Sequence, residues 1–143
     1  MKTLVVLFIL FVGYSSTNNK LDESNGFENF KFDSPQTTYK NLSIEIDEGN
    51  TKLFSIATNE INIKDVEFDN IRLTFIKNKL NTIALTTKNS TGKVFLDFLK
   101  SKYGNPKIYK DNFEWMGKKV ILIYQPYNSG NDAVVNFYKT NEK

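Results

Sequence analysis

Asp65, Glu67 and Asp69 stand two residues apart, the spacing at which side chains of a β-strand share one face. Three carboxylates so placed could hold a hard cation, or divide into a general acid and a general base. The same spacing describes the solvated side of an edge strand whose inner side is Val66 and Phe68, where charge discourages sheet-to-sheet association. No calcium-loop spacing accompanies these acids, so the edge-strand reading is preferred and the three are kept only as metal candidates. A second concentration is aromatic: Trp115 with Tyr109, Phe113, Tyr124 and Tyr127. Such rings can make a platform for a sugar or a peptide, because they offer large contact area at little entropic cost. They can equally fill a small core, which is the preferred reading. Tyr109, Trp115, Tyr124 and Tyr127 are the candidate binding residues.

The rest of the chemical inventory is mostly exclusion. The chain has no histidine and no cysteine. That removes the commonest general base, the commonest metal ligand, thiol nucleophiles and disulfides. Catalysis would have to rest on carboxylates, Lys, Tyr, Ser or Thr. Ser90-Thr91-Gly92-Lys93 lacks the leading glycine and the spacing of a phosphate-binding loop. Asn41-Leu42-Ser43 and Asn89-Ser90-Thr91 are glycosylation sequons, which matter only in a eukaryotic secretory pathway. No catalytic residue and no cofactor is assigned.

Lys plus Arg total 19 and Asp plus Glu total 16, a balance close to neutral. There is no basic stripe interleaved with aromatics, and Arg72 is the single arginine. Nucleic acid is therefore not an expected partner.

The first residues carry an address. Lys2 precedes an unbroken apolar run, Leu4 to Val12, followed by the mostly small Gly13, Tyr14, Ser15 and Ser16. This is the three-part layout of a cleavable secretory signal over 1–16. A helix of that run would span roughly 14 Å, about half a bilayer core, so no permanent membrane span is expected. The expected location is secreted or periplasmic, with cleavage after Ser15 or Ser16.

The elements that must position these side chains follow from hydrophobic period. Residues 17–26 are polar and read as a flexible leader; residues 27–140 read as one domain. Phe30 and Phe32 flank Lys31 as a first strand. Ser34-Pro35 opens a short helix over about 35–42. Leu42, Ile44 and Ile46, then Leu53 and Ile56, make a hairpin about Glu48-Gly49-Asn50. Ile61 to Phe68 and Ile71 to Phe75 alternate on opposite parities, so a bulge or turn is expected at Asp69-Asn70. Lys77-Asn78-Lys79 turns the chain into a strand with Leu80, Ile83 and Leu85. Val94, Phe95, Phe98, Leu99 and Tyr103 then recur at helical spacing, predicting a helix over about 90–103 that Gly104 and Pro106 terminate. Phe113 and Trp115 begin further strands. Val120 to Tyr124 is apolar throughout and is expected to be covered on both faces, with Pro126 ending it. Ala133, Val135 and Phe137 form a last strand. The fold class is α+β: a mostly antiparallel β-sheet with one main helix and one short helix packed on it.

Four features recur in order: Phe27 and Phe32 before a short helix; Phe75 with Lys79-Leu80 across a turn; Leu99, Lys102, Tyr103-Gly104 and Pro106; and Trp115 with Gly117 before an apolar strand. This order resembles small exported bacterial domains of unknown function, over about residues 26–138. Asp33 stands where such domains often carry glycine. The resemblance implies a fold and no activity. The functional expectation is a non-catalytic exported domain that binds another protein or an envelope component. The alternative is a hydrolase or lyase using carboxylates and tyrosine outside the cytoplasm. Nothing in the chain specifies an oligomeric state.

Overall fold

Alternation of apolar and polar residues builds most of this chain into antiparallel strands, and one stretch of helical period supplies the cover. The structure, a computed structural model, describes residues 18–141. The export segment expected over 1–16 lies outside the described residues. In chain order the elements are α1 (Asn19–Ser24), β1 (Gly26–Phe27), β2 (Phe30–Lys31), β3 (Ser43–Glu48), β4 (Thr51–Ile56), β5 (Phe68–Ile76), β6 (Lys79–Thr87), α2 (Gly92–Tyr103), β7 (Lys107–Tyr109), β8 (Asn112–Met116), β9 (Val120–Tyr127) and β10 (Asp132–Lys139). β1 and β2 pair with each other, and the other strands form one eight-stranded sheet in the order β3-β4-β5-β6-β10-β9-β8-β7. Every pairing in it is antiparallel. The fold is α+β, with α2 leaving the middle of the sheet at β6 and returning the chain to the far edge at β7.

Two of the turns are set by left-handed backbone at both central residues. Lys77 and Asn78 have φ of 50° and 63°, and Lys110 and Asp111 have 48° and 68°. Two-residue loops of this hand match the right-handed twist of the strands they join. The parity change expected at Asp69-Asn70 is a bulge: Phe68 faces Thr87 and Asn70 faces Thr86, one residue out of step.

One side of the sheet is the core. Phe54, Ile71, Leu73, Phe75, Ile83, Leu85, Trp115, Leu122, Tyr124, Val135 and Phe137 point to it and are buried. α2 lays Phe95, Leu99 and Tyr103 on this side, and the N-terminal segment adds Leu21, Phe27, Phe30 and Phe32. Phe27 is at the meeting point. Its ring stacks on Phe137 at 4.6 Å and meets Phe95 edge-on at 6.0 Å. Gly92 opens α2 where a side chain would not fit, since an added Cβ would stand 2.7 Å from the Cα of Asp132. Gly104, with φ of 88°, closes the helix.

Some expectations change. Residues 19–24, expected within a flexible leader, form α1, with Leu21 wholly buried. Polar side chains do the anchoring. The Asp22 carboxylate accepts from the backbone N–H groups of Lys118, Lys119 and Val120 at 2.9, 2.8 and 3.1 Å, and the Asn18 side chain donates to the Tyr103 carbonyl at 2.6 Å. Over 35–42 the helical segment contracts to one 3-10 turn, Gln36–Thr38. Residues 61–67, read as a strand, are irregular. β9 is covered on one face only: Val120, Leu122 and Tyr124 are buried, while Ile121 and Ile123 remain half-exposed on the other side. β9 also runs past Pro126 to Tyr127. β8 stops opposite Tyr124, so that edge of β9 is free where proline lacks its N–H. Among the described residues no helix is long and apolar enough to cross a membrane.

Candidate functional site

Strand register decides which of the sequence candidates meet. The three acids do not share a strand face. Asp65 sits in a turn with φ of 64°, Glu67 lies in the irregular segment and accepts from the Asn89 side chain at 3.3 Å, and only Asp69 lies within β5. Among the described residues no group of three or more potential ligands is placed to hold a metal ion. The aromatic residues divide by parity. Trp115 and Tyr124 face the core and are 2% and 1% exposed; the Trp115 indole N–H donates to the Gly104 carbonyl at 2.8 Å. Rings so enclosed offer no surface to a ligand. Tyr109 and Tyr127 face the other side of the sheet and are 54% and 41% exposed. They lie toward the same end of that side, on strands that β8 separates.

Burial has a consequence for the two enclosed tyrosines. It pushes the Tyr124 hydroxyl up to about 12, with the Asp132 and Asp97 carboxylates adding to the effect. Burial also pushes Tyr103 up to about 12, with the Ser24 hydroxyl opposing and Glu28 adding. Below the ordinary phenol value of 10 both residues are protonated whether the chain is folded or not, and stability is insensitive to them. Between pH 10 and 12 the unfolded chain loses protons that the folded chain keeps. Stability should then fall, by up to about 1.4 kcal/mol per pH unit for each group. Denaturant unfolding at stepped alkaline pH, with tyrosinate absorbance followed in parallel, checks this. Full ionisation of every tyrosine near pH 10 with stability unchanged would refute it.

The arrangement that comes nearest to catalytic chemistry was not legible in the sequence. Thr87 donates its hydroxyl to the Asp132 carboxylate at 2.8 Å and accepts from the Ala133 N–H at 3.0 Å. A hydroxyl against a carboxylate is how a nucleophile can be activated. Here, however, Thr87 and Asp132 are 0% and 4% exposed, so substrate has no access. The carboxylate also accepts from the N–H groups of Ser90 and Thr91 at 3.1 and 3.2 Å. Thr91 is the N-cap of α2 and Ser90 stands just before it. The pair is an anchor that ties the helix to β10 and β6.

What the fold leaves accessible is the second side of the eight-stranded sheet, which no helix or loop among the described residues covers. Its side chains fall in rows fixed by register. One row runs Met116, Ile121, Tyr138, Thr82, Thr74, Leu53, Ile46 across seven strands without a charge, a span of roughly 30 Å. The next runs Lys107, Glu114, Ile123, Asn136, Ala84, Arg72, Ser55, Ser43. Its charges are neighbours of opposite sign: Lys107 stands opposite Glu114, and the Arg72 Nε lies 2.9 Å from a Glu45 oxygen. Of nine exposed large hydrophobic residues among the described residues, six are on this side: Ile46, Ile76, Tyr109, Met116, Tyr127 and Tyr138. Four shallow grooves of about 200–530 Å³ occur elsewhere, and none is lined by a residue of these rows. In the largest, Asp22 is held by backbone N–H groups and Asp33 by the Lys139 ammonium at 2.6 Å.

The class defined by this architecture is an α+β domain whose antiparallel sheet is packed on one side and open on the other. No family model, no curated protein and no solved structure matches the chain.

Proposed function

We propose that the chain is exported by its N-terminal apolar segment and that its folded domain is a non-catalytic binding module, contacting another protein of the envelope or extracellular space through the open side of the sheet. The observation that carries this reading is the charge-free row from Met116 to Ile46, with Met116, Tyr138 and Ile46 exposed along it, in the company of most of the exposed large hydrophobic residues. Contiguous exposed apolar surface on a folded domain marks a contact site. A protein is the occupant that suits it. The face is mostly uncharged, and its central arginine is already paired with Glu45, so it has little attraction for phosphates of nucleic acid or of anionic lipid. Eight strands side by side make a surface roughly 30 Å or more across, the scale of an ordinary protein interface of roughly 800 Å² per partner. The hydrolase or lyase alternative would need carboxylates and tyrosines converging on an accessible pocket, and the Asp132 arrangement is sealed.

A photo-reactive residue placed at Met116 or Tyr138 of the exported protein, in the cell that produces it, tests both halves. The expected result is one adduct of discrete mass from each position, on a chain whose N-terminus is near Ser16 or Thr17. The same probe at Val94, which is exposed on α2, should give no such adduct. An equal adduct from Val94 would overturn the assignment of the face. An intact Met1 on the exported protein would overturn the export route.

A further inference from the structure

We propose that copies of this chain join edge to edge, β3 of one against β7 of the next, so that the sheet continues from molecule to molecule. Among the described residues the two strands are the unpaired edges of the eight-stranded sheet. Because the number of strands is even and every neighbour is antiparallel, β3 and β7 run in opposite directions. A plain head-to-tail repeat therefore continues the antiparallel alternation and keeps the helix side of one copy flush with the helix side of the next.

The side chains on the two edges fit that junction. Ile44 pairs with Phe54 and Ile108 pairs with Phe113, so both point to the helix side. Each lies at an edge beyond the cover of α2, exposed by 53% and 65%. Setting Ile44 opposite Ile108 across the junction brings the two together and places Glu45 beside Lys107. Since Glu45 already pairs with Arg72 and Lys107 stands opposite Glu114, the junction on the open side reads Arg72, Glu45, Lys107, Glu114, with alternating sign.

Charge also selects this pairing over the symmetric ones. β3 carries Glu45, Asp47 and Glu48 and no base; β7 carries Lys107 and no acid, and the turn after it holds one of each, Lys110 and Asp111. A β3–β3 edge would bring two acidic strands together, and a β7–β7 edge would bring two strands whose only charge is a lysine. Only the unlike pair attracts. Such a junction is heterologous and does not close on itself. β7 is three residues long and β3 is bulged between Ile44 and Ile46, so each junction is weak and sensitive to salt.

Analytical ultracentrifugation of the mature protein over a concentration series, at low and high salt, reads the assembly. The weight-average mass should rise with concentration at low salt and return to that of one chain at high salt. Ile44→Asp spoils only the β3 edge and Ile108→Asp only the β7 edge, and each variant alone should stay monomeric. Mixed, they should form dimers and nothing larger, because each retains one good edge. Lys107→Glu, also on an exposed edge, should abolish assembly in the same way should an aspartate variant misfold. A wild-type protein monomeric at every concentration, variants that assemble like wild type, or a mixture that stays monomeric would each overturn the proposal.

Discussion

Phe95→Ala is expected to destabilise the domain by about 3–5 kcal/mol, whereas Lys93→Ala, two residues earlier, is expected to change stability by less than about 0.5 kcal/mol. Phe95 is wholly buried. Its ring meets Phe68 edge-on at 5.2 Å and Phe27 at 6.0 Å, so it joins the sheet, the helix and the N-terminal segment. Truncation removes contacts to all three and leaves a cavity that none can fill alone. An isolated helix of this length is marginal in water, and α2 therefore depends on what its apolar stripe buries. Lys93, the second residue of α2, is exposed and touches none of this. Denaturant unfolding of the two variants measures the difference. Equal stabilities would mean that the stripe of α2 does not face the core.

The second large effect is expected at Leu21→Ala, a loss of about 2–5 kcal/mol, with exposed Glu23→Ala near neutral. A six-residue helix has no stability of its own. Leu21 is held because the residues around it are tied to distant strands: the Asn18 N–H donates to the Met116 carbonyl at 3.1 Å, and Asp22 caps the turn between β8 and β9. Losing the leucine removes the apolar plug that these polar ties position. If unfolding showed Leu21→Ala indistinguishable from wild type, residues 17–26 would be the flexible leader that their composition suggests.

The contrast between these two sites shows what was legible. Phe95, Leu99 and Tyr103 repeat at the period of a helix, and that period alone implies a buried stripe; the helix over 92–103 lies within the expected 90–103. The hairpin of β5 and β6 was equally legible, because Ile71, Leu73 and Phe75 alternate before Lys77-Asn78 and Leu80, Ile83 and Leu85 follow it, with one slip of parity between Leu80 and Ile83. α1 was not. One leucine among polar residues has no period, and its burial comes from long-range capping by Asn18 and Asp22, which local pattern does not carry. β7 was missed for a related reason: Lys107-Ile108-Tyr109 is too short to alternate, and its turn uses Lys110-Asp111 rather than glycine. The charge-free row from Met116 to Ile46 was not legible: none of its residues was among the binding candidates. Trp115, Tyr109, Tyr124 and Tyr127 were all singled out, yet which of them face the core depends on strand register. The apolar run Val120 to Tyr124 implied cover on both faces; Ile121 and Ile123 instead lie on the open side, the side proposed for binding.

Covalent footprinting of the mature protein, free and mixed with the envelope fraction of the producing cell, tests the central claim that the open side of the sheet is the contact surface. In the free protein Met116, Tyr138 and Tyr109 should label readily, while Trp115 and Tyr124 should label only on unfolding. On mixing, labelling of Met116 and Tyr138 should fall while that of Lys93 on the helix side is unchanged. Loss of labelling on α2 with Met116 and Tyr138 unaffected would contradict the account.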